Sequence, residues 1–351
     1  MPTIVEVANR AGVSAITVSR VVNDSGPVSS EVRARVQEAI AEIGYVPNAV
    51  ARSLRSRRTD TIALVVTDMT NPFFTTVAHG VEAAVGDCGM MLLICSTDEG
   101  DAKEERYVRM LLQRQVDGIL LVPAGSGAAA IGQCREQGTP LVVVDRRLPR
   151  GGGDGARADA VRADSKAGAF ELGRLLVSLG HKTMAVLTGP RSVPTADDRA
   201  AGFRRAVAAG EGLRPPRVYR GAFSIESGRE MAKRALAATP RPTALFAANN
   251  FIAIGVLHAL DEMKVRVPED VAVVGFDDLP PAMVTFPFLT VAAQPAYEMG
   301  RRSVAMLLER IAGGRGPGQP YQEVVLPTQL VVRRSSGDPL DAPNPRSDHE
   351  R

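Results

Sequence analysis

Eight arginines lie within the first 59 residues against five acids, while the rest of the 351-residue chain carries 34 basic and 34 acidic side chains. The whole net charge of +3 therefore sits in the first sixth of the chain. Arg52, Arg55, Arg57 and Arg58 fall in a stretch with no acid between Gly44 and Thr59. Clustered guanidinium groups neutralise phosphates, and a short basic module on a neutral body is the footprint of nucleic-acid binding. A solvated linker would carry the same run, so charge alone leaves both readings open.

A second set of reactive side chains stands at the ends of short apolar runs. Asp68 and Asn71-Pro72-Phe73-Phe74 follow the first, and Asp145-Arg146 the fourth. Thr195 and Arg199, then Phe223, Asn249-Asn250 and Asp277-Asp278, follow later ones. Carboxylates accept pairs of hydroxyl protons, Arg and Asn donate, and aromatic faces cover C–H surfaces, a chemistry suited to a polyhydroxylated ligand. Markers of catalysis are thin. The four histidines (His79, His181, His258, His349) are scattered and none falls at these run ends. No nucleophile elbow, dinucleotide fingerprint or P-loop is present, which argues against an enzyme and against a nucleotide cofactor. Cys88, Cys95 and Cys134 are odd in number and lack metal-type spacing, so neither a disulfide framework nor a metal site is expected.

The basic set needs helices to position it. Thr3-Ile4-Val5-Glu6 is a capping box, and Ile4, Val7, Ala8 and Ala11 recur at helical spacing until Gly12. Ser14 caps a second helix with the apolar stripe Val18, Val21 and Val22, and a third runs from about Ser30 to Ile43. Ala8, Gly12 and Val18 are spaced for two helices that cross closely, the helix-turn-helix arrangement. Ala15, Ile16, Ser19, Arg20 and Asn23 then face outward from the second helix. The alternative is a three-helix bundle that binds nothing.

From Asp60 onward apolar strands alternate with helices. Strands are expected at 61–66, 91–95, 118–122, 141–144, 184–188, 217–220, 243–248 and 271–276, with helices near 73–87, 101–114 and 127–137 in the first half. Uninterrupted apolar strands between helices mean parallel sheets covered on both faces. The fold class is α/β: an all-α headpiece, then two doubly wound lobes separated by the Gly-rich segment 150–155. Two such lobes bind ligands between them, outside the carboxyl ends of their strands. Hydrophobic residues make up 45% and charged ones 23%, a globular balance with no apolar run long enough to span a membrane. The N-terminus lacks a signal-peptide pattern, so a cytoplasmic protein is expected.

The run TIVEVANRAGVSAITVSRVV (3–22), with Val28-Ser29, Gly44-Tyr45-Val46-Pro47-Asn48 and Ala51-Arg52-Ser53-Leu54, resembles the lac repressor (LacI/GalR) family of bacterial transcription regulators. The likeness runs in order to about residue 334. It implies DNA contacts from Thr3, Ser14, Ala15, Ile16, Thr17, Ser19, Arg20 and Asn23. It also implies a hinge helix over 48–55, with contacts from Asn48, Val50, Ala51, Arg52, Leu54 and Arg55. Arg20 would read a base, most simply guanine, and Leu54 would wedge between base steps of the minor groove. Leu54 as a plain buried linker residue is the bland alternative. A helix that short folds only on DNA beside a partner's copy, so a homodimer is expected.

The body resembles the family's effector-binding core and, with it, periplasmic sugar-binding proteins. Arg199, Thr195, Asn249 and Asp277 match ligand positions, and Phe223, Asp145, Phe73, Phe74 and Gln294 match the pocket more loosely. Phe73 and Phe74 also read as core, and Asp277 as a helix cap. The family usually has Asn-Asp where this chain has Asn249-Asn250. The expected division is a helix-turn-helix domain at 1–46, hinge and linker at 47–59, and a core at 60–334. Lobe 1 covers about 60–157 plus 291–319, lobe 2 about 158–290 plus 320–334, and 335–351 is a disordered tail. The function implied is a dimeric, ligand-responsive repressor on a near-palindromic DNA operator, without cofactor, metal or membrane, controlled by a sugar or sugar derivative. Its rivals are a purine or nucleoside corepressor in the same cleft, a solute-binding protein, and an enzyme using the cleft.

Overall fold

The computed structural model describes residues 2–46, 58–148, 157–279, 287–313 and 320–337. The chain divides into two units, Met1–Thr59 and Asp60–Arg351. The first is three helices: α1 (Ile4–Ala11), α2 (Ala15–Val22) and α3 (Ser30–Ile43). Thr3 and Glu6 cap α1 reciprocally, as the sequence predicts. Gly12 ends α1 with φ 64°, and the Ser14 side chain accepts the Thr17 amide to start α2. Val7, Ala8, Ala11, Val18, Val21, Val36 and Ala39 form the small core. Arg35 braces the turn from α3 through the carbonyls of Ala11 and Gly12. The hinge residues Asn48, Val50, Ala51, Arg52, Leu54 and Arg55 lie outside the described residues.

The second unit contains two six-stranded sheets. The first is built from β1 (Thr61–Val66), β2 (Met91–Ser96), β3 (Gly118–Leu121), β4 (Leu141–Val144), β5 (Asp159–Ala163) and β11 (Glu323–Leu326), in the order β11-β5-β4-β3-β1-β2. All its pairs are parallel. The second has β6 (Met184–Thr188), β7 (Arg217–Arg220), β8 (Ala244–Ala247), β9 (Ala272–Phe276), β10 (Thr290–Ala293) and β12 (Gln329–Val331), in the order β12-β10-β9-β8-β6-β7. Only its β10–β12 pair is antiparallel. β1, β6, β8 and β9 are buried along their whole length because helices cover both faces.

Helices α4 (Pro72–Asp87), α5 (Asp101–Gln113) and α6 (Ala128–Gln137) pack on the first sheet, joined by α11 (Ala296–Ile311). Helices α7 (Ser165–Ser178), α8 (Pro194–Ala208), α9 (Ile225–Leu236) and α10 (Asn250–Glu262) pack on the second. α4 and α11 cross so closely that a Cβ on Gly80 would stand 2.1 Å from the Tyr297 carbonyl oxygen. Only glycine permits that approach.

The lobe boundaries differ from the sequence expectation at all three crossings. β5 belongs to lobe 1, not lobe 2; its polar run DAVRA hides a strand whose Asp159 is buried against Arg310 at 2.7 Å. The chain crosses after Ala163, where Asp164 caps α7. β10 stays in lobe 2, so the return begins at Gln294-Pro295 and not at 291. The stretch 320–334, assigned whole to lobe 2 in the expected division, splits: β11 joins lobe 1, Pro327-Thr328 interrupts, and β12 joins lobe 2. Proline has no amide to continue a ladder. The tail does not begin at 335. Arg334–Ser336 is a 3-10 turn in which Ser335 donates to the Val273 carbonyl at 2.6 Å and accepts the Thr290 amide at 2.7 Å. A polar composition read as disorder supplies hydroxyls to the end of a sheet.

Candidate functional site

On the headpiece, α2 presents Ile16, 67% exposed, together with exposed Arg20 and Asn23. Ala15 and Ser19 are half-buried, and Ala15 packs partly on the small core. Asn23 donates to the Ser19 carbonyl at 2.7 Å, so it finishes the helix as well as facing outward. Ser14 and Thr17 share a hydroxyl hydrogen bond of 2.9 Å at the start of α2, and Thr3 is held by Glu6. Arg10 and Arg33 are neutralised by Glu42 and Asp24, at 2.5 and 2.9 Å. Arg20 is thus the exposed cation that α2 itself offers.

In the core, both sheets reverse strand order beside β1 and beside β6, and the loops leaving these strands open onto one cleft of about 400 Å³ between the lobes. Lobe 1 contributes Asp68, Asn71, Phe73, Phe74, Asp98, Glu99, Ala124, Asp145 and Arg146; lobe 2 contributes Pro190, Ser192, Val193, Thr195, Arg199, Ala222, Phe223, Asn249 and Asp277. Eight of the nine expected pocket residues therefore line one cavity. The ninth, Gln294, stands behind it and donates to Asp277 Oδ1 at 2.5 Å.

Arg199 is buried one turn after Thr195 on the same face of α8. It donates to the Ala248 carbonyl at 2.7 Å, faces Asp277 Oδ2 at 3.6 Å and lies 3.9 Å over the Phe276 ring. Asp145 is buried opposite, with Oδ1 lacking a hydrogen-bond partner. Burial pushes its carboxyl up to about 6, against the pull of Arg199 and Arg146. Burial likewise raises Asp277, opposed by Arg199 and by the Gln294 bond. Phe73 and Phe74 meet edge to face, ring centroids 5.0 Å apart, and belong both to the lobe 1 core and to the cleft wall. Asn249 caps α10 by accepting the Ile252 amide at 2.8 Å. Phe223 reaches the cleft over Gly189, where any Cβ would stand 2.4 Å from its ring.

Sequence inspection passed over Asp98, Glu99 and the loop after β3. Glu99 holds the buried Arg146 through both carboxylate oxygens, at 2.7 and 2.5 Å, and Arg146 also donates to the Pro123 carbonyl at 2.8 Å. Buried Glu104 accepts the Ala124 amide at 2.6 Å and fixes that loop. Burial raises the Glu104 carboxyl, while the bond to Ala124 opposes it. The strand-end rule finds Asp98 and Glu99 as soon as it is applied to β2.

The lining carries five carboxylates against two guanidinium groups, and both guanidiniums are engaged within the protein. Such a cavity offers acceptors to a ligand rich in hydroxyl donors. Among the described residues no His, Cys, Asp and Glu group is placed to hold a metal ion, and no helix is long and apolar enough to cross a membrane.

Comparison with known proteins agrees with both halves. The sequence pattern of bacterial regulatory proteins of the lacI family matches residues 3–48, and that of a periplasmic binding protein-like domain matches 174–336. The chain is 36% identical over 340 residues to the HTH-type transcriptional regulator DegA of Bacillus subtilis (strain 168), covering 95% of this chain and 98% of that protein. Among solved structures, the lac repressor dimer bound to operator and the anti-inducer ONPF aligns with a TM-score of 0.83 and 27% identity, covering 95% of this chain and 99% of that one. The transcriptional regulator CelR–cellobiose complex aligns with a TM-score of 0.71 and 33% identity, over 95% of this chain and 100% of that one. With headpiece, two lobes and cleft shared along the full length of such relatives, the chain belongs to the lacI family of bacterial regulatory proteins and is a DNA-binding transcriptional regulator.

Proposed function

We propose that the protein is a dimeric repressor of the cytoplasm, holding a near-palindromic operator with two copies of α2 and releasing or tightening it when a neutral sugar-like effector enters the cleft. Arg20 supplies the polar base reading, Ile16 and Ala15 apolar contact to thymine methyls, and Leu54 the minor-groove wedge. Thr3, Ser14, Thr17, Ser19 and Asn23 sit where they can position the helix on phosphates. The lac repressor relative, solved as a dimer on its operator, supports this arrangement.

One observation carries the effector reading: Asp145, in the wall of a cleft whose guanidiniums are already engaged, holds a buried carboxylate oxygen without a hydrogen-bond partner. A hydroxyl satisfies that oxygen, whereas an anion meets net negative charge in a partly desolvated site. Arg199, Asp277 and Asn249 complete the polar set, and Phe73, Phe74 and Phe223 cover the ring. The CelR relative, solved with cellobiose, fits the same chemistry. A purine corepressor is the second reading, favoured by the three phenylalanines that share the cleft lining with Arg199.

The test is a thermal-shift screen of the full chain against free pentoses, hexoses and cellobiose, their phosphates and aldonates, and nucleobases. A ligand at 100 times its Kd adds about 2.7 kcal/mol to stability. Stabilisation by a neutral sugar, with its charged counterpart at least about ten-fold weaker, is expected. Stabilisation by purines alone replaces the sugar reading.

A further inference from the structure

Two helix N-termini meet across the cleft. In lobe 1, Asn71 caps α4, its Oδ1 accepting the Phe73 amide at 2.9 Å. In lobe 2, Asn250 is the first residue of α10, and its Oδ1 accepts the Phe251 amide at 2.8 Å. The Asn250 Nδ2 then donates to Asn71 Oδ1 at 2.9 Å. Both side chains are buried, with 7% and 1% exposure. The contact joins residues 179 positions apart in different lobes.

The chemistry fixes which atom is which. Asn71 must aim an oxygen at the Phe73 amide, and the amide flip that would exchange O for N breaks that cap. The partner across the cleft must therefore donate. Asparagine does so; aspartate at 250 would set a carboxylate acceptor against the Asn71 amide oxygen. The site where a carboxylate would gain most from the α10 N-terminus holds an amide instead.

We infer that Asn250 is a positioning residue for the effector site: acting through Asn71, it clamps the start of α4 to lobe 2 and so sets the Phe73–Phe74 wall by the closure of the lobes. The pair is shielded from water, unlike another contact between the lobes, Arg147 to Asp198 at 2.9 Å, whose side chains are 37% and 25% exposed. A partly exposed ion pair of that kind adds little and weakens with salt, whereas breaking the buried pair strips the Asn250 amide of its acceptor. The clasp connects closure to the aromatic wall in either direction, so a ligand that moves Phe73 biases the lobe angle, and closure biases Phe73. The inference stands on the Asn71–Asn250 geometry and holds whether the effector is a sugar or a purine.

The experiment compares Asn250→Asp with Asn71→Asp in the full-length protein. Asparagine 71 uses its oxygen in both bonds, so aspartate there keeps cap and clasp, whereas aspartate at 250 loses the donor. Hydrogen exchange at the Phe73 amide is the local readout and small-angle scattering of the free protein the global one. Asn250→Asp should exchange about ten-fold faster at Phe73, the effect of losing one hydrogen bond of ordinary net strength, and show a larger radius of gyration. Asn71→Asp should match the parent in both. The double variant Asn71→Ala/Asn250→Ala, which removes the mismatched acceptors, should open the lobes as Asn250→Asp does. Equal behaviour of the two single aspartate variants, whether both tight or both loosened, overturns the clasp. Failure of every sugar in the thermal screen leaves this comparison unaffected and defeats only the effector reading.

Discussion

Asp145 and Asp277 are counterparts in the two lobes. Each directly follows the strand fourth from the β2 or β7 edge, β4 in one sheet and β9 in the other. Each lies in the left-handed region, with φ 68° and 69°. Their amides donate to the next strand, to Val161 at 2.9 Å and to Ala292 at 3.1 Å. The repeated fold thus delivers one buried carboxylate from each lobe to the same cavity, where the charge of Arg199 acts on both.

The first prediction concerns pH. With Asp145 raised to about 6, the folded chain holds more protons than the unfolded one between roughly pH 4 and pH 6. Its contribution to stability therefore falls as pH rises through that window and is level above it. Thermal melts of the parent should lose ground to Asp145→Asn from pH 4 to 6 and run parallel from 6 to 8. Effector affinity should move oppositely, rising with pH by at most ten-fold per unit until about 6, because a hydroxyl donor prefers the ionised oxygen.

Arg199→Ala should weaken effector binding by about 100-fold or more, since a cation bonded to the Ala248 carbonyl and facing Asp277 is removed from a buried site. Operator binding should persist. Isothermal titration with the sugar found in the screen, beside a gel-shift titration with the operator, measures the two effects; equal losses in both would place Arg199 in the fold and not in the site.

Arg20→Ala should relax operator specificity by about 1–3 kcal/mol at one base pair of each half-site, the worth of a bidentate contact. Binding assays on single-base operator variants locate that pair, and an unchanged ranking of the variants refutes the assignment.

The crossing of α4 and α11 gives a stability prediction. Gly80→Ala places a methyl 2.1 Å from the Tyr297 carbonyl oxygen and should cost about 1–3 kcal/mol. Gly86→Ala, later in α4 with no neighbouring atom within 4 Å, should instead gain up to about 1 kcal/mol. Denaturant midpoints at constant slope compare the two.

The headpiece was readable because its signals are local: the Thr3–Glu6 capping box, the Gly12 stop and the Ser14 cap each act within four residues. The central strands β1, β3, β4, β6, β8 and β9 were readable for a similar reason, since burial on both faces writes continuous apolar runs. β5 was not, because Asp159 and Arg162 are answered by Arg310 and Glu323, partners more than 150 residues away. The split of 322–333 between lobes was equally hidden, being decided by which sheet each short edge strand meets. Strand-end inspection placed Asp145, Arg199, Asn249 and Asp277 in the cleft correctly, but no local pattern reveals that Asn250 bonds Asn71.

The three passages between the lobes, at Asp164, at Gln294-Pro295 and at Pro327-Thr328, mean that neither lobe is a contiguous stretch of gene. A fragment ending at Ala163 lacks β11 and the helix that seals its sheet beside α4. On the ribosome, lobe 1 waits for residue 326 and lobe 2 for the serines at 335 and 336. The headpiece, complete within its first 46 residues, emerges long before the part that governs it.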